Sequence, residues 1–231
     1  MMDLLPADTT LDERERGATV ALLPIGSVEQ HGPHLPLTTD TLVACTLAVE
    51  LAAAYVVRRL PPVTISCSHE HAAWPGTVSI SATTLAAVVR DVAASVHRAG
   101  ATSLVLVNGH GGNYVLGNVV QEASLGPLRM ALFPGEPDWD DARAEAGLVT
   151  SGLSDMHAGE LETSILLHAH PHLVRPGFAR ADELADDRRH MLSRGLQAYT
   201  ESGVVGRPSL ASPEKGRAVL ASLVRAFAGY L

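Results

Sequence analysis

The sequence predicts a three-layer α/β/α fold on a mostly parallel sheet, and three observations carry that prediction. Short aliphatic runs alternate with longer helix-forming stretches along the 231 residues, the pattern of successive strand–helix–strand units. The plainest run, Ser103 to Val107, is continuously apolar instead of alternating, as strands are when both faces of their sheet are covered. The runs Val20 to Ile25 and Ser103 to Val107 each lead into a glycine-bearing loop with imidazole side chains, the position at which open α/β sheets hold their ligands.

In chain order, Val20 to Ile25 reads as a buried strand and Thr41 to Arg59 as an Ala-, Leu- and Val-rich helix stopped by Pro61 and Pro62. A second short strand is expected at Val63 to Ser66, then a polar loop from Cys67 to Ser79. Helix returns from about Thr83 to Arg98 and ends at Gly100, a residue suited to a helix C-terminus. After the Ser103 strand comes the turn Asn108-Gly109-His110-Gly111-Gly112-Asn113, which opens a helix to about Ser124; Leu128 to Phe133 supplies another strand. Pro134 to Ser154 reads as an acidic loop carrying Trp139, Ala158 to His170 as a helix, and Asp182 to Glu201 as a polar helical stretch. The last helix takes Ser212 as N-cap and Pro213 at its first position and runs to about Ala228.

Length and composition narrow the function. One domain over 1–231 is expected, with a full core. A net charge of −8 argues against nucleic-acid and anionic-membrane partners, which call for a basic face. Cys45 and Cys67 have no paired or CxxC spacing, so neither a disulfide framework nor a thiolate zinc site is indicated. Met1 to Gly17 lacks an apolar signal core, and no run approaches the roughly 18 apolar residues of a membrane span. A cytoplasmic protein is the expectation.

The chemistry concentrates in three places. In the loop from Pro24 to Asp40, Glu29 and His31 stand two apart and point the same way if the chain is extended, while Asp40 opens a helix. Carboxylate and imidazole suit zinc, manganese or ferrous iron; the plainer reading leaves Asp40 a helix cap and Glu29 solvated. His110, at a strand's carboxyl end, reads as a metal ligand or general base, or as a histidine that only bonds its turn. In Asp155 to Ser164, a helical projection puts Glu162 on the apolar face with Leu161, Ile165, Leu166 and Ala169, and puts Glu160 opposite. A carboxylate facing inward needs a positive partner, and with no lysine or arginine in this helix a metal ion is the economical one. Glu160 then belongs at the site's rim, touching substrate or solvated. Glu29, His31, Asp40, His110 and Glu162 together offer five donors, enough for two cations with one bridging carboxylate; paired metal sites hold their ions about 3.5–4 Å apart.

These residues carry a family resemblance. Through Gly26-Ser27-Val28-Glu29-Gln30-His31-Gly32-Pro33-His34 with Asp40, Trp74-Pro75-Gly76-Thr77, the His110 turn, and His157-Ala158-Gly159 with Glu162-Thr163-Ser164, the chain resembles the creatininase, or creatinine amidohydrolase, family. The resemblance implies an α/β/α fold, a dinuclear centre of zinc with zinc, manganese or iron, hydrolysis of C–N amide bonds that are often cyclic, and a homo-oligomeric ring, a hexamer favoured. It implies metal binding by Glu29, His31, Asp40 and His110, with Asp40 the bridge, and a catalytic or substrate-binding role for His157. Creatininase itself has tyrosine and a ligating glutamate where this chain has Gly111 and Gly112, and Glu162 is the candidate to replace that carboxylate. The double glycine is similar to formylaminopyrimidine deformylases and mycofactocin-precursor peptidases.

The expected function is hydrolysis of a small or cyclic amide by metal-activated water. His157 and Glu160 would manage protons, with Trp74, Gly111, Gly112 and Asn113 against the substrate. Trimming of a modified peptide is the alternative within enzymes, and a non-catalytic binder of small molecules the alternative outside them. Trp74 is open between pocket wall and structural plug, and His69 and His71 between substrate contacts and surface residues.

Overall fold

A computed structural model describes residues 4–231; Met1 to Asp3 of the N-terminal segment lie outside the described residues. Helix α1 (Thr10–Arg16) leads into strand β1 (Val20–Ile25), and helix α2 (Thr39–Ala54) follows the first long loop. Next come β2 (Arg58–Arg59), α3 (Ala82–Arg98), β3 (Ser103–Asn108), α4 (Val115–Ala123) and β4 (Arg129–Phe133). The remaining helices are α5 (Glu136–Glu145), α6 (Glu160–Ala169), α7 (Met191–Arg194) and α8 (Pro213–Ala226).

The strands pair in the order β2-β1-β3-β4, every pairing parallel. Alternate β1 side chains serve opposite faces, as strand geometry requires: Leu22 packs with α2, α6 and α8, whereas Ala21, Leu23 and Ile25 pack with α3 and α4. Apolar cores on both sides explain why β1 is buried at all six positions. The chain leaves β1 toward one edge of the sheet and returns at β3 on its other side. The carboxyl ends of β1 and β3 therefore flank a switch point, the crevice where ligands of parallel sheets bind.

Four segments differ from the sequence expectation. The helix expected to reach Arg59 ends at Ala54, with Tyr55 extended, because residues 58–63 run along the open edge of β1. The Leu60 N–H donates to the Leu22 carbonyl (2.9 Å) and the Val63 N–H to that of Pro24 (2.9 Å). Pro61 and Pro62, lacking N–H groups, interrupt this edge, so the expected strand at Val63 to Ser66 is reduced to a bridge between Val63 and Ile25. The acidic stretch after Pro134 contains α5, which starts where the Gly135 N–H donates to Asp138 (2.7 Å) and places Glu136 and Asp138 in its first turn, where the helix dipole favours carboxylates. The stretch 182–201 is mostly irregular, with only α7 and a 3-10 turn at Leu196–Ala198; its shape is set by Glu183 accepting the N–H groups of Glu201 and Ser202 (2.8 and 3.1 Å). Among the described residues no helix is long and apolar enough to cross a membrane.

Candidate metal centre

Two glycines bring the start of α2 onto the strand ends. A Cβ at Gly26 would overlap the Thr41 backbone, and one at Gly109 would overlap the Asp40 carbonyl, so the first turn of α2 lies in contact with the ends of both β1 and β3. Asp40, almost fully buried, is thereby aimed between the two loops. Its Oδ1 lies 2.9 Å from His31 Nε2 and its Oδ2 3.0 Å from His110 Nδ1. Each oxygen of one carboxylate thus faces a different histidine, and the Ser27 hydroxyl fixes the group by donating to Oδ2 (2.6 Å).

Donors converge around that carboxylate. Glu29, Asp40 and His110 form one group whose ligand atoms all lie within 4.8 Å of one another; His31, Asp40 and Glu162 form a second, and Glu29, His31 and His157 a third. His31 accepts nothing at Nδ1, which faces the Glu29 carbonyl (3.1 Å) and must donate to it. That bond leaves Nε2 to face Asp40 and, at 3.9 Å, Glu162, as metal-binding histidines are usually oriented. Glu29 is fully buried, yet neither carboxylate oxygen receives a hydrogen bond. A buried carboxylate faced only by histidines, His71 and His110 each at 3.2 Å without an aligned hydrogen bond, is costly, and a cation satisfies it. On the chemistry of the donors and on this orphaned carboxylate, the residues fit a divalent metal centre.

The same crowding displaces the pKa values of the metal-free protein. Burial, with the Asp40 charge added, pushes Glu29 up to about 8, and burial pushes Glu162 up to about 7. Burial opposes a charge on His31 and His110, but Asp40 overrides it for His31, which reaches about 9, and Glu29 with Asp40 overrides it for His110, which reaches about 10. Burial holds His71 down at about 3 and His157 well below the usual histidine range.

The segment before α6 delivers His157 and Glu162. Asp155 accepts the N–H of Leu161 (3.0 Å) and pairs with the buried Arg143 (2.9 Å), anchoring the helix start. Ala158 sits at φ 53°, a left-handed conformation costing a non-glycine residue about 1–2 kcal/mol; its N–H donates to Glu162 (2.6 Å). His157 Nε2 must donate to the Gln30 carbonyl it faces (2.6 Å), which leaves Nδ1 unprotonated, 3.7 Å from Glu29. Its ring lies 4.2 Å from that of His31 and 4.4 Å from that of His71.

The structure brings Glu29, His31, Asp40, His110, His157 and Glu162 together, but not Glu160. Expected at the rim, Glu160 is fully buried on the far side of α6, where it pairs with Lys215 of α8 and accepts from the Thr150 hydroxyl and N–H (2.6 and 3.1 Å). Both sides of α6 are covered, so the helical projection's polar face is also interior. Asn113, expected against substrate, is buried and spent on scaffold: it accepts the Cys67 N–H (3.2 Å) and donates to Asn108 (3.0 Å). Trp74 lies beside the cluster, 6.3 Å from the His71 ring. Gly111 and His110 line a cavity of about 690 Å³ that extends past Glu162 to Trp139 and Met156; Gly112 lines a second, of about 440 Å³, with Glu70 and Arg194.

Two residues stand closer to the cluster than the sequence reading had them: His71, left open there between substrate contact and surface residue, and Trp139, placed there in a loop. His71, almost fully buried, presents Nε2 3.2 Å from Glu29, with Nδ1 accepting from the Gln30 amide (2.9 Å). Trp139 reaches the larger cavity from α5, which the sequence reading had taken for loop. The signal for the first was the His69-Glu70-His71 spacing in a loop following a strand edge.

A family profile described as Creatininase, creatinine amidohydrolase, matches residues 7–231. The chain is 35% identical over 215 residues to the mycofactocin precursor peptide peptidase of Mycobacterium ulcerans (strain Agy99), covering 88% of this chain and 80% of that protein. A crystal structure of creatinine amidohydrolase (creatininase) has the same fold, with a TM-score of 0.83 at 24% identity over 100% of this chain and 97% of that one. So does one described as Creatininase Mn, with a TM-score of 0.82 at 24% identity over 99% and 97%. Matched along nearly its whole length, this chain belongs to the creatininase family of hydrolases.

Proposed function

We propose that the protein hydrolyses a C–N amide bond with two divalent cations, held by Glu29, Asp40 and His110 on one side and by His31, Asp40 and Glu162 on the other. The observation that carries this reading is the division of Asp40, whose two oxygens face His31 and His110 separately at 2.9 and 3.0 Å. Bound there, two such cations, zinc with zinc, manganese or iron, would polarise the amide carbonyl and provide a water acidic enough to attack near neutral pH. His157 handles the proton of the departing nitrogen: its Nδ1 lone pair faces the cluster, and the bond from Nε2 to the Gln30 carbonyl holds the ring in that orientation. His71 and the Glu29 carbonyl position Glu29 and His31 from behind.

A peptide is the substrate class this reading favours. The cavity of about 690 Å³ beside His110 and Glu162 lies within the roughly 300–1,000 Å³ of drug-sized ligand sites, room enough for several residues of a peptide, and a mycofactocin precursor peptide peptidase is 35% identical to this chain. The family description, creatinine amidohydrolase, supports a small cyclic amide as the second reading. The protein works as a homo-oligomer, hexameric by analogy, which light scattering checks. The deciding experiment incubates chelator-stripped protein, reloaded with Zn²⁺, Mn²⁺ or Fe²⁺, with a peptide library and with creatinine-like cyclic amides, and reads products by mass spectrometry. Peptide cleavage that depends on added metal is expected. Turnover of cyclic amides alone would favour the second reading, and turnover of neither by protein that binds no metal would end both.

A further inference from the structure

Resting on the metal-centre reading above, we infer that Gln30 is a positioning residue of that centre: its side-chain amide fixes the His71 ring with the proton on Nε2, so that His71 presents an N–H to Glu29 and is not a metal ligand. Gln30 stands in sequence between the ligands Glu29 and His31 and is almost fully buried. Its amide has one possible orientation. The Gly32 N–H lies 2.9 Å from the side-chain oxygen, and the Gly203 carbonyl lies 3.0 Å from the side-chain nitrogen. A backbone N–H only donates and a backbone carbonyl only accepts, so exchanging the amide oxygen and nitrogen would set like groups against each other at both contacts. The group 2.9 Å from His71 Nδ1 is therefore the amide nitrogen. One of its hydrogens goes to Gly203 and the other to His71, which makes Nδ1 an acceptor. A ring that accepts at Nδ1 carries its proton on Nε2.

The same residue sets the opposite arrangement at His157. There the Gln30 backbone carbonyl takes the Nε2 proton (2.6 Å) and leaves Nδ1 bare. The two rings lie 4.4 Å apart, and both face Glu29 Oε1: His71 through an N–H at 3.2 Å, His157 through a lone pair at 3.7 Å. Neighbouring histidines thus show the carboxylate opposite polarity. With an N–H turned toward Oε1, the oxygen left for a cation is Oε2, which faces His110 at 3.2 Å. His71 is accordingly in none of the three groups whose ligand atoms lie close enough together to share an ion. Gln30 is itself held from both ends. Its N–H donates to the Thr77 hydroxyl (3.2 Å), and the Gly203 carbonyl it reaches is fixed by the Gly203 N–H donating to the Thr200 hydroxyl (3.0 Å). A Cβ at Gly203 would overlap the Gln30 amide, so a side chain there would unseat it.

The test reads the ring itself, without turnover. Long-range ¹H–¹⁵N correlation spectra of ¹⁵N-histidine-labelled protein distinguish a protonated ring nitrogen from a bare one, and His71→Gln identifies the His71 signals. Wild type is expected to show His71 protonated at Nε2 and bare at Nδ1, both chelator-stripped and loaded with Zn²⁺. In Gln30→Glu the carboxylate can only accept from the ring, so a proton is expected to appear on Nδ1. Gln30→Met, which releases the ring, is expected to lose at least tenfold in Zn²⁺ affinity against a competing chelator, the scale on which groups behind a ligand act, with circular dichroism reporting the fold. A wild-type His71 bare at Nε2 in either form, or an Nδ1 left bare in Gln30→Glu, would overturn the tautomer. A Gln30→Met that binds Zn²⁺ as wild type does would overturn the positioning role. A wild type that binds no Zn²⁺ would instead overturn the reading the inference rests on, while the spectrum of the stripped protein still decides the tautomer. Should the Gln30 variants fail to fold, the wild-type spectra decide alone.

Discussion

Glu29→Gln separates what the fold needs from what the metal needs. Glu29 is fully buried and carries a pKa raised from 4.5 to about 8. A folded-state pKa above the unfolded one means the group binds its proton more tightly in the folded protein. Its contribution is then neutral in acid and becomes a penalty as pH rises from about 4.5 through about 8. At pH 7 the penalty spans about 2.5 pH units, or about 3 kcal/mol at 1.36 kcal/mol per unit. Glutamine, nearly isosteric and never ionised, removes that penalty, and in a chain of this size the gain corresponds to roughly 6–12 °C in Tm. Thermal unfolding in EDTA at pH 7 is therefore expected to show Glu29→Gln more stable than wild type, with the difference vanishing near pH 4. At about a thousandfold excess of Zn²⁺ over Kd the order inverts, because ligand binding then raises the stability of wild type by about 4.1 kcal/mol, and the variant has lost a donor to bind with. A variant less stable than wild type in EDTA, or one that gains as much from Zn²⁺, would refute the assignment of Glu29 as a carboxylate kept in place for a cation.

Metal affinity is expected to rise with pH between about 6 and 9. His31, His110, Glu29 and Glu162, at about 9, 10, 8 and 7 in the metal-free protein, hold protons that a cation must displace. Calorimetry in buffers of different ionisation enthalpy measures that release, and a pH-independent affinity with no release would contradict it. Glu160→Gln leaves the partly exposed Lys215 half-satisfied and should cost stability, by less than the roughly 3–5 kcal/mol of a fully buried pair, while metal stoichiometry stays at the wild-type value; loss of metal without loss of stability would return Glu160 to the site. Asp155→Ala strands the buried Arg143 and frees the start of α6, so a loss of about 3–5 kcal/mol is expected in chemical denaturation, and a stability within error of wild type would show that α6 is anchored elsewhere.

Legibility in the sequence followed the kind of interaction that fixed each element. β1 and β3 were readable because a strand covered on both faces has to be apolar throughout, and the convergence of their loops because both strands end, side by side, in segments rich in carboxylates and imidazoles. The edge at residues 58–63 was not readable, since it forms by pairing with β1, a partner some 38 residues earlier, and local propensity there favours helix. α5 was missed for a different reason. Its composition is acidic, but its start signal, Asp138 three residues after Gly135 with Pro137 between, was local and available.

The two glutamates of α6 mark where projection onto a helical wheel stops being informative. The wheel separates one face from another, and that suffices for a helix with solvent on one side. Here α6 lies between α2 and α8, so Glu160 and Glu162 both leave water and differ only in what meets them: Lys215 and the Thr150 N–H for one, His31 and the Ala158 N–H for the other. Lys215 is 55 residues from Glu160 in sequence, and no periodicity within α6 encodes it. What decides which buried carboxylate belongs to a metal centre is thus whether the fold already supplies a lysine or arginine. By that criterion Glu29, Asp40 and Glu162, faced by histidines and, among the described residues, by no lysine or arginine, fit a cation.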